Sequence, residues 1–253
     1  MKNEIKIINV IKNKKTYKII TTDGDYTFDE STLIKHLVFK DKVFTKDEFE
    51  NILNDLDNSK ALNKVLNYLS YGMKSIYEIK EYLKEYSNAD IVIKKLEELG
   101  YLNDSEFAKN YLDYTINNLK GPNYYINKLA EKKVDQEYIH KYLNLYTESL
   151  QDKNIETITN KLIKINSNKP PKAIKTILLT KLLRDGYSND KVYSFINSVE
   201  INDDSDESLK IDFDKICKKY SSKEISTQEL KQKIINNLMS KGYEYRKIIQ
   251  MFE

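Results

Sequence analysis

The feature that most constrains this chain is a helical pattern that recurs along most of its length. From Thr45 onward, apolar residues return with the 3.6-residue period of amphipathic helices. Signals for the second helix of a triplet fall near residues 75, 121, 171 and 226, at spacings of 46, 50 and 55 residues. Such repetition predicts a tandem array. We therefore expect a mainly α fold, with three-helix repeats in an elongated array.

Helix-start signals support this pattern. A hydroxyl residue followed three positions later by glutamate forms a capping box, in which each side chain satisfies a free N–H group of the first turn. Three such pairs occur: Thr45 and Glu48, Ser75 and Glu78, and Ser226 and Glu229. Asn88 is a further predicted cap, and Gly121-Pro122 and Pro170-Pro171 place proline in a first helical turn.

The first 30 residues have a different period, because their apolar residues alternate with polar ones as in a strand. Asp23-Gly24 lies between two β-prone runs and predicts a hairpin with a type I′ turn, which requires positive φ at both central residues. A small N-terminal β-hairpin region is therefore expected to precede the repeats.

These patterns divide the chain into six segments. They are a β-hairpin region with a short helix (1–44), a connecting helix (45–58) and four helical repeats (59–103, 104–150, 151–200 and 201–253). A new helix is expected to begin near Lys60. The acidic run 203–207 is interpreted as a linker between the last two repeats.

The distribution of charge argues against tight binding to naked duplex DNA. The chain has 42 basic and 39 acidic residues and a pI of about 8.5, with both signs interspersed. A dedicated duplex binder usually has a pI above about 9 and one strongly basic face. Only residues 151–200 are basic, with nine basic and five acidic residues. A protein partner, or a protein–nucleic acid assembly, fits better.

Several classes of protein are disfavoured by composition. No window approaches the roughly 18 apolar residues of a membrane span. One cysteine excludes an intramolecular disulfide framework, so a cytoplasmic location is expected. Two isolated histidines leave little material for a metal site or an acid–base catalyst.

Three segments together resemble the RecX regulators of the recombinase RecA. They are 66–83, which includes Ser75 and Glu78-Ile79; 96–111, which reads Leu-Glu-Glu-Leu-Gly-Tyr-Leu-Asn-Asp-Ser-Glu-Phe-Ala before Tyr111; and Lys120-Gly121-Pro122 with Ile126 and Leu129 behind it. Their order and spacing over 60–145 match that family. The β-hairpin and the additional repeats resemble its longer members.

The resemblance implies a protein without enzymatic activity or cofactor. Family members are helical arrays that bind in the groove of the RecA–single-stranded DNA filament and restrain recombination, and ATP belongs to RecA. The expected partners are therefore the RecA filament and the single-stranded DNA within it, with weak direct DNA binding left open. A monomer that does not bind membranes is expected.

The candidate contacts are cations. Lys74 and Lys120 match basic positions of the family, although the family's neighbouring arginines are missing. The third repeat offers cations at i, i+3 spacing, which places each pair on one helix face. These are Lys161 and Lys164, Lys172 and Lys175, and Lys181 and Arg184. An ordinary solvated surface in a lysine-rich chain is the competing interpretation of the third-repeat cations.

Other assignments also stay open. Six tyrosines of the first two repeats could stack on bases, but their helical spacing favours packing: Tyr68, Tyr71, Tyr82, Tyr86, Tyr101 and Tyr111. At the level of function, a helix-turn-helix DNA-binding regulator and a helical-repeat adaptor for protein interactions are the alternatives. The nearly balanced charge disfavours the first of these.

Overall fold

The computed structural model describes residues 4–221 and 225–253. Within them the chain is mainly α, with thirteen helices and a four-stranded antiparallel sheet near the N-terminus. The predicted combination of a helical fold with a small N-terminal β region is confirmed. Residues 1–3 of the first predicted segment and 222–224 of the fourth predicted repeat lie outside the described residues. Elongation of the array stays a prediction.

The sheet has the strand order β3-β2-β1-β4. Its elements are β1 (Glu4–Lys12), β2 (Tyr17–Thr21), β3 (Asp25–Phe28), the short helix α1 (Glu30–Lys35) and β4 (Val43–Thr45). Alternation places Ile5, Ile7 and Ile19 on one buried face. Strand β4 was not predicted, and it covers the second edge of β1 through the pairing of Ile5 with Phe44.

The predicted hairpin joins β2 to β3, but its turn is not type I′. Gly24 has a φ of 151°, whereas Asp23 is not among the described residues with positive φ. The Thr21 hydroxyl instead accepts hydrogen bonds from the N–H groups of Asp23 (3.0 Å) and Gly24 (3.1 Å). This side-chain contact closes the turn without a left-handed residue at position 23.

A single 24-residue helix, α2 (Lys46–Leu69), follows the sheet, so the helix start predicted near Lys60 is wrong. The capping box predicted at its first turn is present. Neither glycine nor proline interrupts it. Its first half packs in the sheet core through Phe49, and its second half packs in the first-repeat core through Ala61 and Val65. One helix thus serves two cores.

The remaining helices follow the predicted order. They are α3 (Ile76–Tyr82), α4 (Ala89–Glu98), α5 (Asp104–Asn117), α6 (Pro122–Glu131), α7 (Gln136–Leu143), α8 (Glu148–Ile165), α9 (Pro171–Arg184), α10 (Asn189–Ser198), α11 (Asp206–Tyr220), α12 (Thr227–Ser240) and α13 (Tyr245–Gln250). Helix α8 begins before the predicted boundary at residue 151. The four-repeat division itself stays a prediction.

Of the other predicted helix caps, one forms completely, one forms in part and one does not form. The Ser75–Glu78 capping box is present. Ser226 accepts a hydrogen bond from the Glu229 N–H, while the Glu229 carboxylate pairs with Lys233. Asn88 makes no capping hydrogen bond and donates its side-chain amide to Asn58 instead.

The acidic run 203–207 is not a free linker. The Lys247 ammonium lies 2.7 Å from the Asp203 carboxylate and 2.6 Å from that of Asp206. Ser205 donates both its N–H and its hydroxyl to Asp203. These contacts connect the start of α11 to α13.

Contacts divide the chain into two compact units. Unit 1 consists of Met1–Phe107 with Lys132–Asp135, and it contains the sheet core and the first-repeat core. Unit 2 consists of Ala108–Glu131 with Gln136–Glu253, and it contains the cores of the third and fourth repeats.

Candidate partner-binding surfaces

The predicted cations differ in how many carboxylates already neutralise them. Lys120 and Lys181 donate to one carboxylate, that of Asp185, at 2.7 and 2.6 Å. Only 2% of Asp185 is exposed. Because a buried carboxylate requires paired charges, these two lysines hold the fold together in unit 2. These ion pairs position the helices, and the predicted role of the two lysines in partner binding stays a prediction.

The chain around Asp185 forms what we call the glycine joint, made of Gly121, Asp185 and Gly186. The Gly121 N–H donates to the Asp185 carbonyl at 2.7 Å. A Cβ atom at Gly121 would lie 2.4 Å from the Gly186 backbone, and one at Gly186 would lie 2.4 Å from the Tyr124 nitrogen. The start of α6 therefore packs backbone against backbone on the turn after α9. This explains the Lys-Gly-Pro segment in structural terms.

Side chains from later elements cap the carbonyls at the end of α5. The Tyr146 hydroxyl donates to the Lys120 carbonyl at 2.8 Å, and the Tyr187 hydroxyl donates to the Leu119 carbonyl at 3.2 Å. Asn154 donates to the Ile116 carbonyl at 2.9 Å. Burial, and then the contact with Tyr146, raise the pKa of Tyr187, so its hydroxyl stays a donor. These bonds give hydrogen-bond donors to carbonyls in the last turn of α5 and in the residues just after it.

The role of Asp185 was not predicted from the sequence, although its position at the end of a predicted helix indicates it. It is the C-terminal cap of α9. A carboxylate at a helix C-terminus opposes the helix dipole, so its presence indicates compensating cations.

An equivalent contact in unit 1, the ionic joint, is made of Ser75, Glu78 and Lys132. The Ser75 hydroxyl donates to the Lys132 carbonyl at 3.0 Å, and the Lys132 ammonium pairs with the Glu78 carboxylate. Both charged side chains are about a quarter exposed. Partial burial opposes ionisation of Glu78, but the hydrogen bonds from Lys132 and the Ser75 N–H outweigh it and lower the pKa of Glu78.

The joints share one geometry. In each, the start of a second helix meets the turn that follows the second helix of the next repeat. Each turn contains a left-handed residue: Lys133 (φ 54°), Gly186 (φ 90°) and Gly242 (φ 98°). At the third joint, a Cβ on Gly242 would lie 3.0 Å from the Ala173 nitrogen.

Five predicted cations of the third repeat are free of ion pairs within residues 4–221 and 225–253. They are Lys161 and Lys164 on α8, and Lys172, Lys175 and Arg184 on α9. Lys175 and Arg184 are nine residues apart, about two and a half turns, so they lie on opposite sides of α9. The structure thus does not bring the α9 cations together on one face.

Arg184 lies at a cleft of 350 Å³ in unit 2. The other lining residues are mainly amides and aromatic or charged side chains, among them Asn123, Tyr124, Asn127, Lys128 and Asn189. Its guanidinium can donate to phosphate or carboxylate in a bidentate way.

Lys74 lies in unit 1, in the loop between α2 and α3. Its ammonium is 4.7 Å from the centre of the Tyr68 ring, which stacks on Tyr82 at 4.3 Å. Tyr68 and Tyr86 pack against the first-repeat core as expected. The packing expectation is wrong for Tyr71 and Tyr101, which are 85% and 58% exposed.

The described residues hold no group of three His, Cys, Asp or Glu side chains that could bind a metal ion. None of the described helices is both long enough and apolar enough to cross a bilayer. Burial, and then the charge of Asp214, raise the pKa of the Cys217 thiol, which keeps the thiol protonated and unreactive.

No protein-family model matches the chain. The regulatory protein RecX of Listeria welshimeri is 34% identical over 245 residues, which cover 92% of this chain and 90% of that protein. The regulatory protein RecX of Streptococcus pneumoniae is 27% identical, with coverage of 96% and 97%. A crystal structure of a regulatory protein RecX superimposes with a TM-score of 0.57 and 25% identity, covering 77% of this chain and all of that one.

Proposed function

The chain belongs to the RecX family of regulatory proteins, and we propose that it binds the RecA filament on single-stranded DNA and restrains recombination without catalysing a reaction. The single observation that carries the proposal is this membership over more than nine-tenths of the chain. In this proposal ATP hydrolysis and strand exchange are carried out by the RecA filament on its DNA. This chain binds the filament and catalyses no step.

The contacts we propose are those of the predicted cations that form no ion pair among the described residues. On unit 2 they are Lys161, Lys164, Lys172, Lys175 and Arg184, and on unit 1 Lys74. They are scattered, so each contributes little, but contacts on one chain add through their effective concentration. Lys120 and Lys181 contribute indirectly, since their bonds to Asp185 position the helices that carry the others.

The test is RecA-dependent ATP hydrolysis and co-sedimentation with RecA on single-stranded DNA, with increasing amounts of this protein. We expect inhibition and co-sedimentation near stoichiometric ratios. Absence of both would reject the proposal. Sequence-specific binding to promoter DNA at physiological salt would instead support a helix-turn-helix regulator.

A charge-reversal variant tests the surface. We expect Lys172→Glu, Lys175→Glu and Arg184→Glu together to weaken filament binding at least tenfold, with thermal unfolding nearly unchanged. Lys181 is left in place because Asp185 binds it. The matched control reverses three exposed cations of the sheet region, Lys14, Lys15 and Lys40, and is expected to bind normally.

A further inference from the structure

The second half of α2 and the loop after it form a stretch without carboxylates. Residues 58–74 contain three lysines and no Asp or Glu, although the chain has 39 acidic residues. One of the three, Lys60, pairs with Asp57 just before the stretch at 3.4 Å, which leaves Lys64 and Lys74. The exposed side chains of this stretch include Asn63, Asn67, Ser70 and Tyr71. A surface of amides, hydroxyls, lysines and an aromatic ring favours an anionic partner with flat apolar groups.

Two lysines of this stretch are held by aromatic rings. The Tyr68 and Tyr82 rings stack at 4.3 Å with an angle of 21° between their planes. The Lys74 ammonium lies 4.7 Å from the Tyr68 ring centre, and the Lys64 ammonium lies 4.8 Å from that of Tyr82. Cation–π attraction restricts both lysines without neutralising them.

Neither lysine forms an ion pair among the described residues. Lys64 also lies 5.0 Å from the centre of the Tyr86 ring, and its contacts are aromatic. The charge of Lys74 contributes to the lowered pKa of Glu78, but that carboxylate is already bound by Lys132 and the Ser75 N–H. Both ammonium groups therefore keep donors for an external anion.

Tyr71 provides the flat apolar surface. It follows α2 directly, three residues before Lys74, and 85% of it is exposed. Its ring makes no aromatic or cation–π contact among the described residues, unlike those of Tyr68 and Tyr82. Tyr71 thus lies within seven residues of both lysines along the chain. An exposed ring near two cations is the combination that binds single strands, where phosphates meet ammonium groups and a base stacks on the ring.

We propose that this lysine–tyrosine face, made of Lys64, Tyr68, Tyr71, Lys74 and Tyr82, binds single-stranded DNA directly. Lys64 and Lys74 contact phosphates, Tyr71 stacks on a base, and the Tyr68–Tyr82 pair holds the lysines in place. Duplex DNA fits poorly because its bases are already stacked on each other. The inference deepens the proposed function and rests on it for the choice of single-stranded DNA.

The experiment measures fluorescence anisotropy of a labelled oligo(dT) of about 20 nucleotides, longer than one typical site, with the full chain alone. We expect Lys64→Glu with Lys74→Glu to weaken binding about tenfold or more. The slope of log affinity against log salt should fall by about 1.4, the value for two single-strand phosphate contacts. Lys14→Glu with Lys15→Glu, two exposed cations elsewhere, is the matched control and should leave the affinity unchanged.

A second variant does not disturb the packed rings. Tyr71→Ala should weaken oligo(dT) binding about fivefold or more, and should leave thermal unfolding and binding to a duplex of equal length unchanged. Tyr193→Ala, which removes a tyrosine that is 51% exposed, should have no effect on either DNA.

Three results would overturn the inference: no oligo(dT) binding by the unmodified chain at low salt, equal losses in the lysine control, or a full-affinity Tyr71→Ala variant. The RecA assays are separate. If the protein inhibits RecA but does not bind oligo(dT), only the inference about this surface is overturned. If it binds oligo(dT) but does not affect RecA, only the proposed function is overturned.

Discussion

The glycine joint and the ionic joint connect equivalent elements by different physical means. At Gly121 and Gly186 two backbones touch, and the buried Asp185 carboxylate holds two lysines. At Ser75 the contact is one hydroxyl and one partly exposed ion pair between Glu78 and Lys132. Steric contact does not depend on pH or salt, whereas a partly exposed ion pair depends on both. We therefore expect the stability of the glycine joint to be insensitive to pH and salt, and that of the ionic joint to depend on both.

The largest effect is expected for Gly121→Ala. The added Cβ would lie 2.4 Å from three backbone atoms, which cannot move as a flexible side chain can. We expect the free energy of unfolding to fall by about 3 kcal/mol or more, measured by urea unfolding. Gly100→Ala, where a Cβ meets nothing within 4 Å but φ is 76°, should cost only about 1 kcal/mol. Equal costs at the two positions would remove the steric explanation.

Asp185→Asn tests the buried charge. The change leaves Lys120 and Lys181 without their carboxylate, and a loss of about 2 kcal/mol is expected, reduced from the full cost of a broken buried pair because both lysines are about 30% exposed. Amide hydrogen exchange should accelerate at the start of α6. If Asp185→Asn unfolds at the same urea concentration as the unmodified chain, the carboxylate does not stabilise this joint.

Tyr146→Phe removes a hydroxyl that donates one hydrogen bond and accepts another next to the glycine joint, without changing the shape of the side chain. The Lys120 carbonyl loses its donor at 2.8 Å and the Asn154 amide loses its acceptor at 3.0 Å, so a loss of about 1.5 kcal/mol is expected. Tyr193→Phe, at an exposed ring, is the control and should be neutral. An effect as large as that of Asp185→Asn would mean that the hydroxyl network, not the ion pairs, dominates the joint.

Glu78→Gln is expected to have the smallest effect, about 0.5–1 kcal/mol at neutral pH, because the ion pair is partly exposed. The pKa of Glu78 is lower in the folded chain than its ordinary value of 4.5. Its stabilisation is therefore complete above about pH 4.5 and is lost as pH falls through the folded-state pKa. The difference between the two chains in urea unfolding should shrink at acid pH. A difference that stays constant with pH would show that ionisation of Glu78 does not matter.

Local signals predicted much of the fold. The helical period, the capping boxes at Thr45 and Ser75, and the Asp23-Gly24 hairpin depend on residues a few positions apart, and all are present. The break predicted near Lys60 was wrong because the two halves of α2 pack in different cores. The type I′ turn was wrong because the Thr21 side chain supplies the closing bonds.

What the sequence determined by itself is the helical character, the order of the helices and the resemblance to the RecX family, since each follows from near neighbours or from the order of motifs. Which lysines are free for a partner was decided only by the tertiary structure. Lys120 meets Asp185 across 65 residues of chain, and Lys64 gains the Tyr82 ring only when α2 and α3 pack together. The availability of a charge depends on what surrounds it in space, and local spacing does not encode those surroundings.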